Sequence, residues 1–392
     1  MSLFFSQVSQ VAADPILGLN SAFLADTREE KINLSVGVYK DDWLQTPVLS
    51  AVKEAEKFIL SSETTKNYLP IEGDSCFLQE VLRRVLQEDT QDLCSAQTVG
   101  GSGALRLGGD LLQVMGKKEI YIPKPSWLNH KNIFSQSGLQ VKEYPYYDEK
   151  NKGVAFDRLQ EFLLALPKES VILLHVNCHN PSGSDLTLAQ WKILLALFEE
   201  KGHIPFFDAA YLGFDLSFSQ DCFPIRLFKE AKKEFLLASS FAKNFSLYAE
   251  RVGFFTVSSK EKNCQNVLSQ LKALIRRNYS NPPKHGAMIV STILQSPLLC
   301  SLWEEELSLM RKRIASMRNA LVEELMLQGT KDYLYLKDKK GLFSFFSLTK
   351  EQVATLIQKY GIYMTEDGRM NVVGLTLATI PYVVQAIRRV GG

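Results

Sequence analysis

Three polar side chains with the potential for chemistry follow apolar stretches in the middle of the chain. Asn180, Asp208 and Lys243 each come shortly after a short run of residues typical of a β-strand. Ligands bind beyond the carboxyl ends of the strands in open α/β sheets, so we expect these side chains to meet there. A lysine that is removed from water at such a place loses its proton more readily, which suits covalent capture of an aldehyde.

The neighbouring residues indicate which aldehyde this could be. Asp208 would be partly buried, and a buried carboxylate needs a cationic partner such as the protonated ring nitrogen of pyridoxal phosphate. The glycine-rich turn 100–103 precedes a predicted helix at 104–115 and could bind the phosphate together with Arg251. Taken singly, Lys243 could be a solvated lysine, Asp208 a cap and the turn a mere helix start; together they support one another.

Two competing motifs are weaker. Ser240 and Lys243 fit the Ser-x-x-Lys motif of penicillin-recognising hydrolases, but the Ser-Asp-Asn and Lys-Thr-Gly elements of those enzymes do not occur. His175 and His179 have the spacing of a metal pair, yet they fall on either side of a predicted strand end. We therefore expect neither a serine hydrolase nor a bound metal.

The elements that must position these residues alternate between strand and helix patterns. A helix is predicted between the capping residue Thr187, paired with Gln190, and Gly202. Strands are predicted at 119–123, 171–175, 204–207, 235–239 and 253–258. This alternation indicates an α/β fold, a mostly parallel sheet sandwiched by helices.

The pattern changes towards the C-terminus. In order, we predict a long amphipathic helix over 303–325 that stops at Gly329, a hairpin of strands 333–336 and 342–348 around a turn at 337–341, and a helix from the cap Thr349 to Tyr360. These elements are typical of a smaller α+β domain. We place a large domain at 46–309 and the small domain, with an N-terminal arm, at 1–45 and 310–392.

Composition narrows the classes of protein. The 392 residues are 46% hydrophobic and carry a net charge of +2, so neither disorder nor a nucleic-acid-binding surface is expected. No apolar run approaches the length of a membrane span, and residues 1–13 contain no Lys or Arg, unlike a secretory signal. The six cysteines form no Cys-x-x-Cys, which favours a reduced, cytoplasmic protein without structural zinc.

An ordered series of motifs gives the chain a resemblance to a known family. The series comprises DPILGL at 14–19, NLSVGVY at 33–39, KNYLP at 66–70, PSW at 125–127, CHNPSG at 178–183, DAAY at 208–211, SSFAKN at 239–244, ERVG at 250–253, YSNPP at 279–283 and GRMNV at 368–372. The sequence is similar to the aspartate/aromatic aminotransferases of the fold-type-I pyridoxal-phosphate enzymes. The resemblance implies the large-domain fold of that class, with pyridoxal phosphate as cofactor.

Roles around the cofactor ring follow from the resemblance. Lys243 matches the Schiff-base lysine, which substrate displaces and which then moves a proton, and Asp208 matches the partner of the pyridinium nitrogen. Asn180 and Tyr211 match the pair that hydrogen-bonds the ring hydroxyl. His130 matches the histidine that orients Asp208.

Further positions match the groups that hold the ring face and the phosphate. The residues implied are Trp127, stacked on the ring, and Gly101, Ser102, Ser240 and Arg251 around the phosphate, with Tyr68 reaching in from the other subunit. The resemblance thus implies a homodimer with shared active sites.

The substrate side is implied in the same way. Arg369 matches the arginine that binds the α-carboxylate of the substrate in a planar, bidentate contact, close to Gly37, Trp127 and Asn180. Arg276 matches an arginine lent by the neighbouring subunit to the distal carboxylate of aspartate or glutamate. The alternative is that Arg276, like Arg277 beside it, is an exposed helix residue.

Smaller features bear on the substrate. Ser102 is the residue type seen at this position among aromatic-accepting relatives. Five other positions match the aspartate-preferring group: Val38, Lys40, Thr46, Asn67 and Asn281. Two positions depart from the commoner Thr and Ser of the family, namely Ser182 and Ala242. We therefore predict ping-pong transamination of aspartate and 2-oxoglutarate to oxaloacetate and glutamate. The alternatives are an aromatic aminotransferase that also takes tyrosine and phenylalanine, and a catalytically silent protein with the same fold.

Overall fold

The structure, a computed structural model, describes residues 4–10, 15–87 and 92–391. Predictions that fall on 1–3, 11–14, 88–91 and 392 lie outside the described residues. They include Asp14 of the first family motif and parts of the N-terminal arm.

The strands and helices of the described residues are as follows. The strands are β1 Ile32–Asn33, β2 Leu93–Val99, β3 Glu119–Lys124, β4 Gln140–Pro145, β5 Tyr147–Asp148, β6 Gly153–Val154, β7 Val171–His175, β8 Ile204–Ala209, β9 Phe235–Ser240, β10 Val252–Ser258, β11 Phe343–Phe345, β12 Ile362–Tyr363 and β13 Arg369–Asn371. The helices are α1 Pro15–Ala25, α2 Ser50–Ser62, α3 Ser75–Leu86, α4 Gly100–Val114, α5 Asn129–Gln136, α6 Phe156–Ala165, α7 Leu188–Lys201, α8 Phe218–Asp221, α9 Phe223–Glu230, α10 Glu261–Asn278, α11 His285–Gln295, α12 Pro297–Leu327, α13 Lys350–Tyr360 and α14 Ile380–Gly391. Short 3₁₀ helices lie at Phe4–Gln7, Lys331–Asp338 and Val372–Gly374.

The central sheet has the mostly parallel arrangement predicted from the sequence. Its strand order is β2-β10-β9-β8-β7-β3-β4, and the steps from β9 to β4 are parallel. Within the described part of this sheet, the antiparallel pairs are those that β10 makes with β2 and β9. The five predicted strands are confirmed to within two residues, whereas β2 and β4 were not predicted.

Capping chemistry set the helix ends that the sequence specified best. Thr187 accepts from the backbone of Gln190 and completes a capping box at the start of α7, which ends at Gly202 in the left-handed conformation. Thr349 begins α13 in the same way. The helix predicted at 104–115 starts earlier, because the glycine-rich turn forms the first turn of α4.

Apolar cores lie on both faces of the sheet. One face packs against a cluster from α4, α5 and α10 that includes Leu111, Phe134 and Leu271. The other carries the larger cluster, to which α2, α3, α7, α9 and α11 contribute. Helices therefore cover the sheet on both sides, and only its strand ends are open for a ligand.

The C-terminal part has a core of its own. Residues on α12, α13 and α14 surround β12 and bury Leu321, Leu356 and Val384 completely. The first half of α12 instead packs on the large cluster through Trp303 and Leu307. The helix thus connects the two cores, and the domain limits at 46 and 310 stay predictions.

The hairpin predicted at 333–336 and 342–348 is wrong. Residues Lys331–Asp338 form a 3₁₀ helix, and β11 pairs antiparallel with β13. The alternation of Tyr and Leu resembled a strand, but a repeat of three residues puts Tyr333 and Leu336 on one side. There Leu336 is fully buried in the C-terminal core, and Tyr333 packs on Phe346 at 5.1 Å.

Within the described residues, no single helix has the length and apolar character to cross a membrane. The pair α11 and α12 meets both criteria only when combined, and a bend of 103° separates them.

Candidate active site

A cavity of about 410 Å³ opens beyond the carboxyl ends of β8 and β9. The residues that line it include these site residues predicted from the sequence: Gly37, Gly101, Ser102, Trp127, Asn180, Asp208, Tyr211, Ser240, Lys243, Arg251 and Arg369. The central sheet places Asp208 and Lys243 here, because parallel strands deliver the loops that follow them to one edge. Gly37 and Arg369 lie outside that sheet and complete the cavity from the other side.

Lys243 lies in the loop after β9, and its Nζ is 4.8 Å from the centre of the Tyr211 ring. Removal from bulk water lowers the pKa of its amine to about 8, assisted by the charge of Arg251 and opposed by that of Asp208. None of the hydrogen bonds among the described residues uses this amine. The side chain is therefore a partly neutral, unengaged nucleophile that faces a cavity.

Asp208 ends β8 and is held from behind by a histidine. His130 on α5 is fully buried, and its Nε2–H donates to Oδ2 of Asp208 at 3.0 Å. The other ring nitrogen, Nδ1, lies 2.8 Å from the hydroxyl of Ser126. Burial by itself would raise the pKa of Asp208, but the hydrogen bond from His130 and the neighbouring positive charges, including that of Lys243, together hold the pKa below its usual value. A permanent anion thus faces the cavity.

The start of α4 and the side chain of Arg251 leave space for an anion. A Cβ on Gly100 would lie 2.5 Å from Nη2 of Arg251, and a Cβ on Gly101 would lie 3.0 Å from Ser240. Gly100 has φ of +66°, so a side chain would be both strained and obstructed. The start of a helix, the Ser240 hydroxyl and the Arg251 guanidinium therefore converge, as phosphate binding requires.

The opposite wall carries Arg369, from β13. Its Nη1 donates to Oδ1 of Asn180 at 3.2 Å, and its Nη2 donates to the carbonyl of Ser35 at 2.7 Å. Arg369 is 4% exposed, and its guanidinium lies over the ring of Phe343 at 4.4 Å. A buried, oriented cation next to Gly37 suits a carboxylate.

Besides His130, which lies behind Asp208, two predicted site residues lie outside this cavity. Tyr68 is 91% exposed. Arg276, near the end of α10, is exposed and donates to the hydroxyl of Ser280. Neither lines the cavity of its own chain, so their predicted role requires a second subunit and stays a prediction.

Several cavity residues were missed from the sequence. Phe343, Tyr248 and Leu128 line the cavity, and the hydroxyl of Tyr248 accepts from the backbone N–H of Tyr39 at 2.8 Å. Tyr248 could have been found from its position five residues after Lys243. Phe343 was hidden within the misassigned hairpin.

Three potential metal ligands lie close together at the wall of the cavity. His130, His175 and Asp208 bring ligand atoms within 4.8 Å of one another. The pair considered from the sequence, His175 and His179, is instead in ring contact at 4.4 Å. The His130–Asp208 contact is a hydrogen bond, and the expectation of no metal stays a prediction.

Comparison with known proteins places this geometry in a family. The sequence model of the family described as aminotransferase class I and II matches residues 29–387. The chain is 45% identical to an aspartate aminotransferase of Escherichia coli, with 98% of this chain and 99% of that protein covered. It is 44% identical to an aspartate aminotransferase of Pseudomonas aeruginosa over the full length of both.

Solved structures give the same fold. An aromatic-amino-acid aminotransferase from Burkholderia pseudomallei, covalently bound to pyridoxal phosphate, superposes with a TM-score of 0.95 at 41% identity and covers 100% of both chains. A psychrophilic aromatic aminotransferase from Psychrobacter, cocrystallised with aspartic acid, has a TM-score of 0.95 at 37% identity with 99% of each chain covered.

Proposed function

The chain belongs to the class I and II aminotransferases, and from that premise we propose that it transfers the amino group of aspartate to 2-oxoglutarate with pyridoxal phosphate as cofactor. The observation that carries the proposal is the unengaged amine of Lys243, placed between the anion of Asp208 and the anion cradle at Gly100. A nucleophile, a partner for a ring nitrogen and a phosphate site are the three groups that this cofactor needs.

The residues present fit the cofactor. Lys243 would hold its aldehyde, Asp208 its ring nitrogen, Asn180 and Tyr211 its ring hydroxyl. Gly101, Ser102, Ser240 and Arg251 would hold its phosphate, and Trp127 would cover one ring face. When bound, pyridoxal phosphate supplies an aldehyde that takes up amino groups and a ring that withdraws electrons from the substrate Cα.

Lys243 and Asp208 have complementary duties. The lowered pKa of Lys243 allows its Nζ to accept a proton near neutral pH and to return it to the next reacting carbon. The charge of Asp208, which His130 holds in place, would keep a proton on the ring nitrogen of the bound cofactor. One group moves protons while the other holds one in place.

Arg369 orients the substrate. Its planar guanidinium would bind the α-carboxylate in a bidentate contact, with Asn180 fixing one of its nitrogens. This contact is common to all amino acids and 2-oxo acids. It fixes where the Cα lies but does not select a side chain.

Selection of a dicarboxylate is assigned to the neighbouring subunit. Arg276 would meet the distal carboxylate of aspartate, and Tyr68 would reach the phosphate, in a homodimer with shared sites. The strong exposure of both side chains in the single chain supports this arrangement. Dilution to monomers should then abolish activity.

Acceptance of aromatic substrates is a second candidate function. The cavity has an apolar wall that could receive a ring, formed by Leu105, Leu128 and Trp127.

We place the enzyme in the cytoplasm, since all six cysteines are free thiols.

The test is a panel of amino donors assayed against 2-oxoglutarate, after the absorption spectrum of the purified protein has been recorded. We expect cofactor absorbance, ping-pong kinetics and a higher kcat/KM for aspartate than for phenylalanine. Phenylalanine equal or better would replace the aspartate assignment by the aromatic one. A protein without cofactor absorbance or turnover would be a silent member of the family.

A further inference from the structure

Phe343 is a buried aromatic residue at the meeting point of the substrate-side groups. It is 2% exposed, and its ring lines the cavity. Cζ of Arg369 lies 4.4 Å from the ring centre, and the ring of Tyr211 meets it edge-on at 6.1 Å. A Cβ on Gly37 would lie 3.1 Å from Cζ of Phe343.

The ring adds a restraint on Arg369 to those that its hydrogen bonds supply. Contacts to Asn180 and to the carbonyl of Ser35 fix two of its nitrogens at one edge. A cation over an aromatic face gains electrostatic attraction, and the flat ring also limits tilting of the planar guanidinium. Bidentate recognition of a carboxylate depends on the direction of that plane.

We propose that Phe343 is a positioning residue for the substrate α-carboxylate, acting through the guanidinium plane of Arg369. The inference rests on the proposed function, which gives Arg369 its role. It adds a residue that selects no side chain but sets how strongly every substrate carboxylate is bound.

Gly37 fits the same account. Its φ lies outside the left-handed region, so the backbone does not require glycine there. The space does, because a methyl group would press on the ring of Phe343. The glycine therefore keeps the ring seated under Arg369.

The strand that carries the ring is held firmly. β11 pairs with β13, so Phe343 lies opposite Asn371 and Phe345 opposite Arg369. The backbone N–H of Val372 also donates to the carbonyl of Leu342 at 2.9 Å. The ring and the arginine that it supports therefore belong to one small sheet and keep a fixed relation.

The first experiment compares Phe343→Leu with the wild type in calorimetric titrations of the holoenzyme. The probes are succinate and 3-phenylpropionate, which carry a carboxylate but no amino group and cannot react. Leucine keeps apolar volume but lacks a ring face, so we expect both ligands to bind about five- to thirtyfold more weakly. KM for amino donors should rise by a similar factor with kcat little changed.

The matched control is Phe345→Leu, the same change two positions along the strand. The ring of Phe345 packs on Tyr147 at 5.6 Å and does not line the cavity, so both ligands should bind as in the wild type. Equal weakening in the control would overturn the proposal. So would a loss in Phe343→Leu for one ligand only, which would make Phe343 a side-chain-pocket residue.

A second variant keeps the proposal testable if Phe343→Leu folds poorly. Gly37→Ala leaves the core intact but displaces the ring, and it should weaken both ligands as well. In the double variant the loss due to Gly37→Ala should shrink, since leucine has no atom at the Cζ position. Fully independent losses would contradict the coupling. A wild type without transaminase activity would refute the proposed function instead, whereas an active wild type with unaffected variants would refute only this inference.

Discussion

Two lysines in different regions of the molecule have the same altered acidity. Burial lowers the pKa of Lys243, in the cavity, and of Lys339, near the C-terminal end of the 3₁₀ helix Lys331–Asp338, to about 8. The amine of Lys339 donates to the hydroxyl of Ser184 at 2.8 Å and to the carbonyl of Lys152. Among the described residues, the amine of Lys243 has no such partner, and it faces the cavity.

The difference shows that a shifted pKa does not identify a reactive group by itself. Lys339 is 6% exposed and its amine is committed to neighbouring oxygens, so it connects the C-terminal part to the loop at Ser184. Lys243 keeps its amine available next to Asp208. Geometry, and not acidity, separates Lys339 from Lys243, the lysine that we propose to be catalytic.

The largest expected effect is a difference in turnover between variants of the two lysines. Lys243→Ala should lower turnover by at least about 10⁴-fold, because both covalent capture and proton transfer are lost. Lys339→Met should keep kcat within about twofold of the wild type. Steady-state assays with aspartate measure both, and near-normal turnover in Lys243→Ala would remove it from the mechanism.

The second-largest effect is expected for Asp208→Asn. Its kcat/KM should be reduced about 10²- to 10³-fold, because an amide cannot hold a proton on a ring nitrogen by charge. The control is Asp221→Asn, which alters another buried carboxylate. Asp221 accepts from the backbone N–H of Gly213 at 2.8 Å and does not itself line the cavity. It should change thermal stability more than turnover. Equal losses in turnover would count against the role of Asp208.

Arg276→Asp tests the substrate side with a neighbouring control. A charge-assisted hydrogen bond contributes about 1.5–3 kcal/mol, so kcat/KM for aspartate should fall tens- to hundreds-fold while that for phenylalanine changes little. Arg277→Asp alters an adjacent exposed arginine, which contacts the carbonyl of Ala273, and should affect neither substrate. Equal losses for both substrates in Arg276→Asp would exclude it from the distal-carboxylate site.

The pH dependence of cofactor capture also distinguishes Lys243 from Lys339. Only the neutral amine of Lys243 is nucleophilic, so capture of pyridoxal phosphate by the cofactor-free protein should accelerate about tenfold per pH unit below 8 and level off above it. Stopped-flow absorbance measures the rate. Lys339→Met should leave the profile unchanged, and a rate that is flat from pH 6 to 9 would contradict the lowered pKa.

The smallest effect concerns Lys339 and stability. Its folded pKa of about 8 lies below the 10.5 of a lysine in water, so the unfolded chain binds more protons between these values and stability rises with pH there. Lys339→Met should lose up to about 3 kcal/mol of that rise. The thermal midpoints of both proteins at pH 8 and 10 check this, and identical rises would refute it.

The sequence predicted the sheet and the cofactor side of the cavity well, for a physical reason. Strands β7 to β10 are short apolar runs with turn residues at their ends, so local pattern suffices to locate Asp208 and Lys243. The cap at Thr187 is equally local.

The substrate side depends on contacts that no local pattern contains. Phe343 is placed by pairing β11 with β13, across the intervening helix α13, and the misassigned hairpin hid it. Similarly, the bond from His130 to Asp208 joins residues 78 positions apart. The resemblance supplied the role of His130, whereas the sequence analysis gave no indication of Phe343.

The most direct test of the central claim is borohydride reduction of the holoenzyme, followed by proteolysis and mass spectrometry of the peptides. The account predicts one stable cofactor adduct, on the peptide that contains Lys243, with Lys339 unmodified despite its equal pKa. An adduct on Lys339 or on another lysine, or no adduct at all, would contradict it.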